Sequence, residues 1–115
     1  MPVTIWHNPK CATSRKVLEM IRKKGVKPEI VEYVKSPPSV AEIKAALKEM
    51  GMTPRQLLRR RGTPYDELGL DDPKLTDAAL LAAMAKHPLL IERPVVRTDK
   101  GTRLCRPPER VREIL

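Results

Sequence analysis

The start of the chain places one amphipathic helical pattern between two short β-prone runs. The first run is Val3–Trp6, and the sequence His7-Asn8-Pro9 ends it. From Thr13 or Ser14 onward, apolar residues recur at helical spacing until Gly25, which is a typical helix stop. The second β-prone run, Glu29–Val34, follows. The spacing therefore predicts a strand, a helix and a second strand within the first 34 residues.

The end of the chain predicts a hairpin and a closing helix. A strand over Val95–Arg97 is followed by the turn sequence Asp99-Lys100-Gly101 and a returning strand over Thr102–Cys105. After Pro107-Pro108, one helical face carries Val111, Ile114 and Leu115. The order of the outer elements is thus β-α-β and then β-β-α.

Helical signals dominate the intervening segment. Ser39 and Glu42 form an S-x-x-E capping box before an apolar stripe that Gly51 closes. Thr53-Pro54 with Gln56 starts a further helix that is expected to run to Gly62. Thr63-Pro64 indicates a short helical turn, and Thr76–Lys86 a longer helix. The prediction is an α/β fold of the thioredoxin/glutaredoxin type, β-α-β…β-β-α, with a helical insertion at about 39–87 between the second and third strands. We expect residues 1–115 to form a single domain.

Composition excludes several classes of protein. The 115 residues include 2 cysteines, too few for a disulfide framework, and neither a signal peptide nor a membrane-spanning run is visible. We therefore expect a cytoplasmic protein without membrane contact. The net charge of +9 favours anionic partners, but the basic residues are dispersed and only Trp6, Tyr33 and Tyr65 are aromatic. Because nucleic-acid binders more often pair a concentrated basic face with stacking aromatics, we expect no nucleic-acid partner.

Cys11 is the main candidate for chemistry. It lies in the turn that leads into the first predicted helix, where unpaired backbone N–H groups and the helix dipole stabilise a thiolate or an oxyanion. The alternative is an inert packing cysteine. The pattern is C-x-x-S, with Ser14 where dithiol oxidoreductases carry a second cysteine, so an outside thiol would have to complete a redox cycle. Cys105, in a predicted strand, is expected in the core or beside the site.

Three segments resemble the glutaredoxin-coupled arsenate reductases: IWHNPKCATSR, RQLLRRRGTPYDELGL and HPLLIERPVVRTDKGTRLCRPPE. The resemblance covers essentially the whole chain. It implies that Cys11 attacks arsenate to form a thiolate–arsenic adduct. It further implies that Arg59, Arg93 and Arg106 bind the oxyanion and stabilise the adduct.

The resemblance also implies roles for residues around the nucleophile and for co-reactants. His7 and Ser14 would tune the pKa of Cys11, and Arg93-Pro94 matches the cis-proline position of this fold. Glutathione would act as a co-substrate, glutaredoxin would remove the mixed disulfide, and no cofactor or metal would be bound; we expect a monomer. Without the resemblance, the sequence is also consistent with Arg59 as one member of a solvent-exposed basic run. It is equally consistent with His7 as a turn histidine that is hydrogen-bonded to the backbone.

Two other functions remain open at this stage. The first is a redox-sensitive regulator that binds RNA polymerase, a class that shares this fold and the Arg-Pro element. Such regulators often carry C-x-x-C, which is absent here, and lack the Leu104-Cys105-Arg106-Pro107 segment that is present. The second is a monothiol oxidoreductase that acts on another substrate.

Overall fold

The first compact unit of the protein combines both ends of the chain. The computed structural model describes residues 2–115, and these divide into one unit formed by residues 2–36 with Arg93–Leu115 and another formed by Pro37–Glu92. The first unit contains strands β1 (Thr4–Trp6) and β2 (Glu29–Val31), with helix α1 (Ala12–Lys23) between them. Strands β3 (Val95–Thr98) and β4 (Gly101–Leu104) and a 3₁₀ helix (Pro108–Glu113) complete it.

The four strands form one mixed sheet in the order β2-β1-β3-β4. Strand β1 pairs in parallel with β2 and antiparallel with β3, and β3 pairs antiparallel with β4 across the two-residue turn Asp99-Lys100. This arrangement confirms the predicted thioredoxin-like fold. Because β1 is central, the loop that follows it, which carries Cys11, is held by a strand paired on both sides.

A continuous apolar cluster anchors α1 and the 3₁₀ helix in this unit. Its members come from the sheet, from the inner face of α1 and from the chain end: Val3, Ile5, Val17, Leu18, Ile21, Val96, Cys105, Val111 and Ile114. Burial of aliphatic side chains of this size stabilises each by roughly 1.5–3 kcal/mol relative to exposure. The predicted inner faces of the first and last helices are thereby confirmed, although Met20 and Leu115 are only partly buried.

Three local predictions were wrong. Strand β2 ends at Val31 rather than Val34, because Tyr33–Lys35 form a turn in which the backbone N–H of Lys35 donates to the carbonyl of Glu32. The closing helix is 3₁₀ rather than α: it has only six residues, with Pro107 at its N-cap and Pro108 as its first residue. The helix that begins at Pro54 ends at Leu57 rather than near Gly62, because Leu58 is extended and pairs with Ile91. The short helical turn predicted after Thr63-Pro64 is present, closed by the Leu68 N–H, which donates to the Pro64 carbonyl at 2.9 Å.

The second unit is helical, as predicted. It contains α2 (Val40–Met50), α3 (Pro54–Leu57), α4 (Asp77–Lys86) and a 3₁₀ helix (Pro88–Leu90), and it extends somewhat beyond the predicted insertion limits. Both capping boxes are formed, by Ser39 with Glu42 and by Thr53 with Gln56. Gly51 ends α2 in the left-handed conformation that only glycine adopts freely. Among residues 2–115, no helix is long and apolar enough to cross a bilayer.

Candidate active site

Cys11 is the N-cap residue of α1, at the point where the chain leaves the central strand. The preceding loop is tied by three hydrogen bonds to Asn8: its carbonyl accepts from the Cys11 N–H at 3.0 Å, its Oδ1 accepts from the Lys10 N–H at 3.0 Å, and its own N–H donates to Ser14 Oγ at 3.1 Å. The Cys11 carbonyl starts the helix by accepting from the Arg15 N–H at 3.0 Å. The thiol is therefore fixed at a helix N-terminus while its side chain stays partly accessible.

Two arginines from the other end of the chain reach Cys11 within the same unit. The Arg106 Nη1 lies 3.9 Å from the Cys11 Sγ and also donates to the Arg93 carbonyl at 3.0 Å. The peptide bonds Arg93-Pro94, as the resemblance implies, and Arg106-Pro107 are both cis. Arg106 thus lies beside the thiol although 95 residues separate it from Cys11, and Arg93 is close enough to lower the pKa of Cys11. Their roles in oxyanion binding stay predictions.

The surroundings of Cys11 favour its thiolate form. Burial raises the pKa of the thiol, but the backbone amide of Ser14 and the guanidinium groups of Arg93 and Arg106 together outweigh burial and lower the pKa below its ordinary value. Cys105 shows the opposite behaviour. It is fully buried in the apolar cluster, and burial raises its pKa to about 12, so it is a packing cysteine.

Arg93 holds an unused hydrogen-bond donor in this site. Within residues 2–115, its Nε is buried without a hydrogen-bond partner, and its guanidinium forms no ion pair with a carboxylate. A buried donor that is left unpaired destabilises the folded protein by roughly 1–3 kcal/mol, so the site favours a ligand that supplies acceptor oxygens. A positively charged donor of this kind is suited to an oxyanion.

His7 and Ser14 form a buried pair beneath the thiol loop. His7 Nδ1 lies 2.6 Å from Ser14 Oγ, so the partner of His7 is a side chain rather than backbone. Ser14 Oγ already accepts from the Asn8 N–H, and among the described residues its hydroxyl hydrogen has only His7 Nδ1 as an acceptor. We therefore assign the proton of the imidazole to Nε2. Burial also lowers the pKa of His7, opposed by Glu32 and assisted by Arg22 and Arg15, and so favours the neutral imidazole.

Arg59 lies in the second unit, two residues after the end of α3, and its guanidinium is paired with a carboxylate. Its Nη1 donates to Glu92 Oε1 at 2.8 Å and its Nε to the Arg61 carbonyl at 3.1 Å. The Arg59 N–H also donates to the Leu90 carbonyl at 2.7 Å. The side chain is thus held in one orientation rather than solvated as a member of a basic run, and its role in oxyanion binding stays a prediction.

Sequence reasoning missed two supporting residues. Asn8 organises the thiol loop, and its position between His7 and Pro9 is a typical turn signal that could have revealed it. Glu92 pairs with Arg59 across 33 residues, and no local pattern signals this contact.

The first unit and its site together define a class: a thioredoxin-like protein with one activated cysteine at a helix N-terminus, flanked by arginines, and a serine in place of the resolving cysteine. The ArsC family profile matches residues 6–114, and the chain belongs to the ArsC family.

Individual relatives agree with this assignment. The chain is 56% identical over 115 residues to an arsenate reductase of Rhizobium meliloti strain 1021, covering 100% of this chain and 82% of that protein. It is 51% identical over 113 residues to an arsenate reductase of Escherichia coli strain K12, covering 98% and 80%. The solved structure of an arsenate reductase from Vibrio cholerae superposes with a TM-score of 0.95 at 45% identity, covering 100% of this chain and 98% of that one.

The pH dependence of alkylation should separate the two cysteines. We expect iodoacetamide to label Cys11 with a midpoint below that of a cysteine in the unfolded chain, because only the thiolate reacts and the folded site lowers its pKa. Cys105 should stay unlabelled in the same range, since it is buried and its pKa is about 12. Peptide mass spectrometry after timed labelling, with and without denaturant, measures both; a Cys11 midpoint equal to or above the denatured value contradicts the assignment.

Replacing Ser14 by alanine should affect both stability and reactivity. Ser14→Ala removes the acceptor of the Asn8 N–H and the partner of His7, so we expect the free energy of unfolding to fall by about 1–3 kcal/mol. Loosening of the loop should also raise the pKa of Cys11. Thr13→Ala is the matched control, since its hydroxyl has no hydrogen-bond partner among residues 2–115. Equal urea midpoints and equal labelling profiles for the two variants would contradict the role of Ser14.

Proposed function

We propose that this chain reduces arsenate to arsenite through the thiolate of Cys11. The observation that carries the proposal is the convergence of Arg93 and Arg106 on a cysteine whose pKa they lower. Relatives named arsenate reductase, at 51–56% identity over nearly the whole chain, support the choice of substrate.

The arginines serve substrate binding in this proposal. Arsenate is a tetrahedral dianion at neutral pH, and its approach to a thiolate brings two negative groups together. Guanidinium groups offset that repulsion because they are always charged and present forked donors that match oxyanion geometry. The unpartnered Arg93 Nε supplies a donor for an arsenate oxygen. Following the family resemblance, Arg59 is assigned as a third binding arginine, which Glu92 holds in orientation.

The chemistry balances as a two-electron reduction by two thiols. The Cys11 thiolate attacks arsenic(V) and forms a sulfur–arsenic bond while one arsenate oxygen leaves as water, taking its protons from solution. A glutathione thiolate then attacks the Cys11 sulfur and the sulfur–arsenic bond breaks. Its electron pair stays on arsenic, which becomes arsenite, and Cys11 and glutathione are left as a mixed disulfide.

An outside reductant must close the cycle. Ser14 occupies the position of a resolving cysteine, and Cys105 is buried in the apolar cluster, so neither residue can release the mixed disulfide. Glutaredoxin is proposed for this step: its thiolate attacks the glutathione sulfur, and Cys11 departs as a thiolate. The low pKa of Cys11 makes it a good leaving group.

A coupled assay tests the function. Purified chain is mixed with arsenate, glutathione, glutaredoxin, glutathione reductase and NADPH, and arsenate-dependent NADPH oxidation is followed together with arsenite formation. We expect turnover that requires arsenate, glutathione and glutaredoxin. Absence of arsenite, with reduction of members of a disulfide panel instead, would contradict the proposal and favour a monothiol oxidoreductase.

A further inference from the structure

The net charge of the protein is carried entirely by the unit that contains Cys11. This unit holds 15 of the 23 Lys and Arg side chains and 6 of the 14 Asp and Glu side chains, a formal charge of +9. The second unit holds 8 of each and is neutral. The net positive charge of the sequence is therefore confined to one unit of the fold, although basic residues occur in both.

Within that unit, a positive surface begins at the thiol and follows helix α1. Lys10, directly before Cys11, is exposed. The exposed face of α1 carries five long side chains: Arg15, Lys16, Glu19, Arg22 and Lys23. These five and Lys10 are called the α1 basic face below. Its one carboxylate, Glu19, is paired with Lys23 at 3.0 Å.

The other four cations of the α1 basic face are not neutralised. Lys10, Arg15, Lys16 and Arg22 form no ion pair within residues 2–115. The first turn of α1 contains no acidic residue, and the sequence has none before Glu19. Lysine and arginine near a helix N-terminus oppose the helix dipole, whereas acidic residues there would stabilise the helix by about 0.3–1 kcal/mol each. Lys10, Arg15 and Lys16 lie near this end of α1, whereas Arg22 lies in the last turn, where the dipole favours a cation. The unfavourable placement of the first three indicates a use for positive charge beside the thiol.

We propose that the α1 basic face is the docking surface for an acidic protein that delivers the resolving thiol to Cys11. The inference rests on the proposed function, in which an outside thiol must release Cys11. The face spans the whole of α1, about 18 Å for its 12 residues, which exceeds the reach of a tripeptide and fits the surface of a protein. Complementary charge would steer that partner toward the thiol and raise the association rate.

The step served by docking is a thiol–disulfide exchange. The partner's thiolate attacks the glutathione sulfur of the Cys11 mixed disulfide, forming one sulfur–sulfur bond while the bond to Cys11 breaks. Cys11 leaves as a thiolate. One disulfide and one thiolate are converted into another disulfide and another thiolate, so the exchange involves no net oxidation or reduction. A small uncharged dithiol can perform the same exchange without docking, which provides an internal reference.

The experiment measures release of glutathione from Cys11 without arsenate. The full chain is converted to the Cys11–glutathione mixed disulfide with an activated glutathione disulfide, and its reduction is timed with a glutaredoxin of net negative charge or with dithiothreitol. We expect the glutaredoxin rate constant to fall about tenfold between about 0.02 M and about 0.5 M salt, because surface charges are screened. The variant Lys16→Glu/Arg22→Glu should lose about tenfold at low salt and lose most of the salt dependence.

Two comparisons make the result specific. The matched control Lys44→Glu/Lys48→Glu reverses two exposed lysines on α2 of the neutral unit and should leave the glutaredoxin rate unchanged. Dithiothreitol should reduce all three proteins at the same rate. An unchanged glutaredoxin rate in Lys16→Glu/Arg22→Glu, or an equal loss with dithiothreitol or in the control, would overturn the docking proposal. Since arsenate is absent, failure of docking is distinguishable from failure of arsenate reduction.

Discussion

Cys11→Ser should abolish arsenate reduction, lowering kcat/KM by at least about a thousandfold because the covalent route disappears. Serine keeps the size of the side chain and can still cap α1, so the fold should be retained. A hydroxyl, however, is not ionised at neutral pH, and the amide of Ser14 and the guanidinium groups that stabilise the Cys11 thiolate cannot make it nucleophilic. Initial rates in the coupled assay, with circular dichroism to verify folding, measure the effect.

Cys105→Ala provides the matched control for this result. Cys105 is fully buried, its Sγ lies 3.7 Å from the Arg103 carbonyl, and it belongs to the apolar cluster. Its removal should reduce stability by leaving a small cavity, while activity per folded molecule is largely retained. Activity retained in Cys11→Ser and lost in Cys105→Ala would reverse the roles of the two cysteines.

Arg106→Ala should lower kcat/KM for arsenate by about 100-fold, the usual effect of removing one preorganised donor to a developing negative charge. The same substitution should raise the pKa of Cys11, because the Arg106 guanidinium lies 3.9 Å from Sγ and favours the thiolate. Arg106→Lys should recover part of the pKa effect through its charge. It should recover less of kcat/KM, because the lysine ammonium lacks the planar, two-pronged donor geometry of a guanidinium.

Arg112→Ala is the control for Arg106→Ala. Arg112 is exposed in the second 3₁₀ helix of the chain, and it has no ion pair or hydrogen bond within residues 2–115. We expect wild-type kinetics and a wild-type Cys11 labelling midpoint in this variant. Wild-type kinetics in Arg106→Ala as well would refute the assignment of Arg106 to the oxyanion site.

Local signals in the sequence were sufficient for the thiol loop and for most helix ends. Cys11 follows a β-prone run and precedes an apolar stripe, so its place at a helix N-terminus could be read directly. The capping pairs Ser39–Glu42 and Thr53–Gln56 and the left-handed Gly51 are likewise local. By contrast, the end of β2 depends on pairing with β1, which stops at Trp6. Runs of β-prone residues beyond that partner therefore do not extend the strand.

The chemistry of the site depended on contacts that no local pattern encodes. Arg106 reaches Cys11 across 95 residues because β3 and β4 return the chain beside β1. The sequence suggested Arg106 only through the family resemblance. The proton position on His7 follows from the hydrogen bonds that Ser14 makes with Asn8 and His7. The contact between Arg59 and Glu92 follows from backbone pairing between residues 57–59 and 90–92. Neither feature can be derived from a local sequence pattern, because each depends on contacts in the folded structure.

A single-turnover experiment tests the central claim most directly. The reduced chain is incubated with arsenate and glutathione in the absence of glutaredoxin, and intact-protein and peptide mass spectrometry are combined with measurement of arsenite. We predict one glutathione on the peptide that contains Cys11 and one arsenite per chain, neither of which forms when arsenate is omitted. Arsenite formed without modification of Cys11, or glutathione attached to Cys11 at the same rate with and without arsenate, would contradict a reaction in which the Cys11 thiolate attacks arsenate.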